Sequence, residues 1–259
     1  MLRPFFALFA LVFFVMGVLY TWAGVPQVYR EAYADIASPH YYENPARPLD
    51  SIEIAAFYFV PRDHTESQIS NWATLLDNAL EDLQKFHAVQ FQGRSRIRFS
   101  IYPRPVIGLH EGIVYDTENT GRGNPEALRN IAFELHERVF SSQGDLFVPG
   151  MVSPAMAEGY RIAQDVDGVY PVILILYEGV GSSGSENVAL ISSTFLADPA
   201  YEAFGTTLLT HEFYHTLGIP DGYDLETAIP FTQDIMGLGR LRPIEQAYLS
   251  GETRKKLGL

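Results

Sequence analysis

The eight residues Tyr170 to Tyr177 (YPVILILY) constrain the fold more than any other stretch. A continuous apolar run of strand length, with no alternation, is expected of a strand covered on both faces. Such a strand needs helical layers around it, and the rest of the chain supplies helical patterns. Ser51 to Val60 (SIEIAAFYFV) reads as a second strand. From about Glu66 to His87, Ile69, Trp72, Leu75, Leu76, Leu80, Leu83 and Phe86 form one helical stripe, with Thr65 as N-cap. Arg96 to Tyr102 (RIRFSIY) alternates strictly, placing Ile97, Phe99 and Ile101 on one side. Asn124 and Pro125 open a helix that runs to about Phe140. Asn187 to Leu196 (NVALISSTFL) is a more polar strand, suited to a sheet edge. A helix is expected from about Ala200 to Leu217, and a last one starting near Pro243. Strands alternating with helices imply an α/β layered domain.

Composition narrows the function classes. A net charge of −13 over 259 residues offers nothing to displace counterions from phosphates, so a nucleic-acid partner is not expected. With no cysteine, disulfides, thiolate metal ligands and cysteine nucleophiles are all excluded. Phe5 to Gly24 is uncharged, and as a helix its twenty residues would span about 30 Å of hydrocarbon. Residues 1–24 therefore read as a membrane anchor, with Arg3 on the cytoplasmic side and the remaining chain outside. A cleaved signal peptide ending after Thr21 and Ala23 is the alternative, and exports the domain equally. Residues 25–50, rich in proline and tyrosine, read as a linker, and 51–259 as the domain proper.

Gly179, Gly181 and Gly184 match G-x-G-x-x-G directly after a strand. Dinucleotide binding requires a helix N-terminus behind those glycines. Here strand-like residues follow, so the glycines are expected to form a loop joining two antiparallel strands, and no cofactor is expected.

Residues 211–221 (HEFYHTLGIPD) carry the chemistry. His211 and His215 stand one helical turn apart on one face, where two imidazoles can reach a single zinc ion at about 2.0–2.1 Å. Glu212 points about 100° away, beside a water on the metal and not on the metal itself. Gly218 can adopt the left-handed conformation that ends the helix. The reversed chain then returns Asp221 toward the histidines as third ligand, with Asp224 as competitor. Three protein ligands leave one position open, which is the catalytic arrangement. Tyr223 and Tyr248 are candidates for holding an oxyanion, although a structural role suits each better. His40, His64, His87, His110 and His136 lack ligand spacing and read as surface or satisfied core residues.

His211, Glu212, His215, Gly218 and Asp221 resemble the metzincin metallopeptidase motif, in the snapalysin-like variant with aspartate as third ligand. The similarity runs through HTLGIPDGY. Asp234-Ile235-Met236-Gly237 resembles the Met-turn of that family, although Met236 alone would read as a core methionine. The resemblance covers roughly residues 205–240. It implies a twisted mixed sheet with helices, the active-site helix lying in a sheet subdomain (51–218), and a small C-terminal subdomain (219–259). The helix near 125–140 looks like an insertion in that plan. The implied activity is that of an extracytoplasmic zinc endopeptidase acting on peptide or protein, with Glu212 as general base and strand 187–196 pairing with substrate. The alternatives are a non-catalytic, membrane-tethered metal-binding or adaptor domain, and a zinc amidase acting on small or cell-wall peptides.

Overall fold

The computed structural model describes residues 51–117, 125–149, 169–185, 187–225 and 227–257. The apolar run at 5–24, the linker at 25–50 and the expected cap Asn124 lie outside these residues. Among the described residues, no helix is long and apolar enough to cross a membrane.

Six strands form one mixed, mostly parallel sheet. They are β1 (Ser51–Val60), β2 (Arg96–Ile101), β3 (Val106–Ile107), β4 (Val169–Tyr177), β5 (Ser182–Ser185) and β6 (Val188–Ser192). Their order is β2-β1-β4-β6-β5, with β3 pairing the far end of β1, and only β5 runs antiparallel to its neighbour. The helices are α1 (Trp72–Gln90), α2 (Pro125–Leu135), the short α3 (Thr194–Ala197), α4 (Gly205–His215) and α5 (Gly251–Lys256).

The handedness of crossover connections explains the layers. From β1 through α1 to β2 the chain moves one way across the sheet, and from β3 through α2 to β4 it moves the other way. Right-handed crossovers in opposite directions put their helices on opposite faces. The strands are apolar on both sides to match. Ile52, Ile54, Ala56, Tyr58 and Val60 of β1 pack with Leu76, Leu80 and Leu83 of α1 and Leu209, Phe213 and Tyr214 of α4. The intervening Ala55, Phe57 and Phe59 pack with Leu128, Ile131, Ala132 and Leu135 of α2. The α/β layering expected from the sequence is therefore present. The stretch that looked like an insertion is what covers the second face of the sheet. Further along the chain, Ile219, Ile235, Met236, Leu249 and Leu257 join the core on the α1 and α4 side.

Several expectations need correction. The first helix starts at Trp72, and Thr65 lies instead in a 3-10 turn over Arg62–Ser67. The Gln68 side-chain amide donates to Thr65 O at 2.9 Å, and the Ile69 N–H goes to the Tyr58 hydroxyl at 3.0 Å. A local side-chain bond and a buried phenol thus take the groups that a longer helix would have used. Residues 187–196 are not an edge strand. All of β6 is buried between β4 and β5, and its polar tail turns into α3. The edge is β5, Ser182–Ser185, inside the glycine-rich stretch. The glycines do follow β4 as a loop, Gly179 and Gly181 leading into the oppositely directed β5, but β4 and β6, the two strands expected to be antiparallel, are parallel. The motif helix is shorter than expected, Gly205–His215. The last helix begins at Gly251 with Ser250 as its cap, while Ile244–Gln246 makes only a 3-10 turn.

His87 of α1 is fully buried, as a satisfied core residue should be. Its ring nitrogens contact the Tyr214 hydroxyl at 3.1 Å and the Ser95 hydroxyl at 2.8 Å, and its ring stacks on Phe91. Burial pushes its pKa down to about 3. The unfolded chain, with an ordinary imidazole near 6.5, then binds one more proton than the folded chain between that pH and about 3. Stability held above pH 6.5 is lost as pH falls through this window, by about 1.4 kcal/mol per pH unit. Urea unfolding of His87→Gln between pH 6 and pH 4 should show a slope against pH flatter by about that amount. An unchanged slope would mean that His87 is not held neutral.

Candidate metal centre

The site is built at the C-terminal end of α4. Leu209, Phe213 and Tyr214 bury one side of this helix in the core and so fix its rotation. His211 and His215 then lie on the same face, ring centroids 4.6 Å apart. After Thr216 the helix stops. Gly218 has φ +77°, the left-handed conformation expected of it, and its N–H donates to His215 O at 3.0 Å. The chain reverses and brings Asp221 back.

Three atoms converge there. His211 Nε2 and His215 Nε2 are 3.1 Å apart, and Asp221 Oδ1 lies 3.2 Å from each. Their protonation follows from the far side of each ring. His211 Nδ1 is 3.0 Å from Ile235 O, and His215 Nδ1 is 2.7 Å from Ile219 O. A carbonyl only accepts, so each Nδ1 carries the proton, and each neutral ring presents a lone pair at Nε2. Asp221 Oδ1 is buried without a hydrogen-bond donor. Three lone-pair atoms thus face one another. A proton can bridge one contact of the three, whereas a divalent cation satisfies all of them. Around a tetrahedral ion with bonds of about 2.0–2.1 Å, neighbouring donors stand about 3.3–3.4 Å apart. The observed triangle fits that size. Among the described residues, this is the group of histidine and carboxylate side chains placed to hold a metal ion.

The electrostatics agree. Burial alone would lower the pKa of His215, but contact with Asp221 and the charges of Glu212 and Asp221 outweigh it and leave it raised. Burial likewise pushes the Asp221 carboxyl up, and the two histidines more than reverse this, holding it well below the usual carboxylate range. The site favours positive charge.

Glu212, also buried, follows His211 on the helix but is not one of the three converging residues. Its charge is felt at both His215 and Tyr223. Asp224, the competing ligand, is used elsewhere: its Oδ1 accepts from Thr227 N and Thr227 Oγ1, both at 2.8 Å, and so closes the turn. Tyr223 lies against the centre, its ring 5.9 Å from that of His211, and burial together with the nearby Asp221 raises its pKa. Tyr248 is 41% exposed, and its carbonyl accepts from Ile235 N.

Met236 is buried in the core, in a turn between Ile235 and Gly237. Its carbonyl accepts from Gly222 N at 2.6 Å, tying the turn to the residue after Asp221. The preceding Ile235 carbonyl aims His211. Asp234, whose importance the sequence did not signal, holds this turn. Its Oδ1 accepts from Thr232 Oγ1 at 2.8 Å and Met236 N at 3.2 Å. Its Oδ2 accepts from Thr253 Oγ1 at 2.6 Å and Ser250 N at 3.1 Å. The bonds to Thr232 and Met236, the latter an Asx turn, are local, whereas those from Ser250 and Thr253 come from far along the chain. Gly184 was also missed as a site residue. A Cβ there would sit 2.0 Å from Glu212 O and 2.8 Å from His215 Cβ, so only glycine lets the edge strand lie against the motif helix.

Comparison with known protein families and with curated proteins gives no match for this chain.

Two predictions concern metal content, read by titration of the metal-free protein with Zn2+ or Co2+. Asp221→Ala should weaken binding by about a hundredfold or more, while Asp224→Ala should leave it within a few-fold of the parent. Asp234→Asn keeps the shape but loses the charge that gathers four donors. It should weaken metal binding about tenfold, within the range seen when the partners of metal ligands are altered. Equal affinities for Asp221→Ala and the parent would remove Asp221 from the site.

Proposed function

We propose that this protein is a zinc-dependent peptidase, held outside the cytoplasm by the apolar run near its N-terminus. The observation that carries the reading is the convergence of His211 Nε2, His215 Nε2 and Asp221 Oδ1, with the buried Glu212 directly after His211 in the same helix. Two neutral imidazoles and one carboxylate form a donor set suited to zinc, and three protein ligands are the number found in hydrolytic zinc sites. A purely structural metal site has no need of a second, unliganded carboxylate next to one of its ligands in the helix.

When bound, zinc supplies Lewis acidity to a carbonyl oxygen and brings the pKa of a water toward neutrality. The residues of the chain supply the remainder. Glu212 accepts a proton from the attacking water as the new C–O bond forms, and returns it to the leaving amine nitrogen as the C–N bond breaks. Ile235 and Ile219 keep the imidazole rings turned so that both Nδ1 positions stay protonated. The outer edge of β5 supports a peptide substrate. It is a short strand packed against the motif helix through Gly184, at the end of the sheet among the described residues, and the main-chain groups of its outer side can hydrogen-bond an extended chain.

Glu212→Gln tests the mechanism, because the amide preserves size but cannot take a proton. The variant should bind zinc like the parent and lose about 10²- to 10⁴-fold in kcat/KM on a fluorogenic peptide or an unfolded protein substrate. Chelator should abolish the parent activity, and added zinc should restore it. Activity equal to that of the parent would end the role given to Glu212.

A further inference from the structure

Arg138 and Arg240 are both half-buried, and their partners differ. Arg138 donates through Nη1 to Ile107 O at 2.7 Å and meets two carboxylates, Glu134 at 2.6 Å and Asp145 at 3.0 Å. This is how a structural arginine is normally accommodated when partly removed from water. Arg240 has a similar anchor, with Nη1 donating to Gly237 O at 2.7 Å, and its guanidinium lies over the Tyr223 ring, 3.7 Å from the centroid. Among the described residues it meets no carboxylate, in a chain with 31 acidic against 18 basic side chains. Its place is also particular. The Tyr223 ring on which it stacks lies against His211, and the Tyr223 phenol feels the charges of Asp221, Glu212 and Arg240 together. Stacking holds the guanidinium plane and leaves the in-plane N–H groups that match a carboxylate in pairs.

We infer that Arg240 recognises a carboxylate of the substrate close to the scissile bond, so that this centre prefers peptides carrying one there. The inference rests on the peptidase reading above. The carboxylate has two sources, an acidic side chain or a free C-terminus. The cation–π contact with Tyr223 fixes the plane of the guanidinium, and the Gly237 carbonyl fixes its direction. The remaining donors can then bind without first ordering a long side chain.

The test compares three peptides of one core sequence on the zinc-loaded full chain: neutral with an amidated C-terminus, acidic with an amidated C-terminus, and neutral with a free C-terminus near the cleavage point. The parent should favour at least one carboxylate-bearing peptide over the neutral one by about tenfold to a hundredfold in kcat/KM, mainly through KM. The peptide that gains identifies the source. Arg240→Gln should bring that peptide to within about twofold of the neutral one, and Arg240→Lys, which keeps charge without the planar fork, should fall between. The same selectivity should appear without turnover, as the anisotropy of labelled peptides bound to Glu212→Gln, and should vanish when Arg240→Gln is added. Equal handling of all three peptides by the parent would overturn the inference. So would an Arg240→Gln loss of the same size on every peptide, because an arginine that only holds Tyr223 affects all substrates alike. Absence of cleavage together with carboxylate-selective binding would retain Arg240 in this role and discard the peptidase reading instead.

Discussion

The centre depends on two hydrogen bonds that point away from it. His211 donates its Nδ1–H to the Ile235 carbonyl and His215 donates to the Ile219 carbonyl, and these bonds decide which face of each ring is left with a lone pair. Without them either ring could flip or change tautomer, and the three donor atoms would not converge. Each carbonyl belongs to a main-chain turn following the helix, so ring orientation is built into the backbone path. With α4 anchored in the core, the three donor atoms stand 3.1–3.2 Å apart, close to the separation that a shared cation requires.

Holding those turns is itself a polar problem within a buried region. Asp234 solves it with one carboxylate that gathers donors from Thr232, Met236, Ser250 and Thr253, joining the turn at Met236 to the start of α5. Burial would push this carboxyl up, and the donors more than compensate, leaving its pKa lowered. From the opposite side, β5 lies against α4 at Gly184, where a methyl group would collide with the Glu212 carbonyl. The helix is therefore fixed between the sheet edge and the C-terminal turns, and Glu212 and His215 are located by both.

The layered fold is the scaffold for this arrangement. Right-handed crossovers in two directions cover both faces of β1 and β4, so the core strands can be apolar throughout. α1 and α4 share one face, and their contact includes the His87 to Tyr214 pair directly preceding His215 in the helix. α2 seals the other face. The chain therefore places His211 and His215 on a helix packed among core elements, which suits a site that must keep three donors at fixed separations.

Sequence alone determined those features that depend on short spacing. The i, i+4 histidines, the adjacent glutamate, the glycine able to take φ +77° and the aspartate three residues later are all local, and the apolar runs of β1 and β4 announced a covered sheet. What the local pattern could not contain was decided by tertiary structure. Strand-like polarity at 187–196 suggested an edge, yet the edge is made by Ser182–Ser185, because strand order depends on pairings between distant segments. Asp224 competes with Asp221 on spacing, and the turn bonds to Thr227 separate them. Helix α1 starts late because Tyr58, on another strand, captures the Ile69 N–H. Asp234, Gly184 and Arg240 gain their significance only from neighbours far along the chain. Spacing encodes which residues can reach one point, and packing decides which of them do.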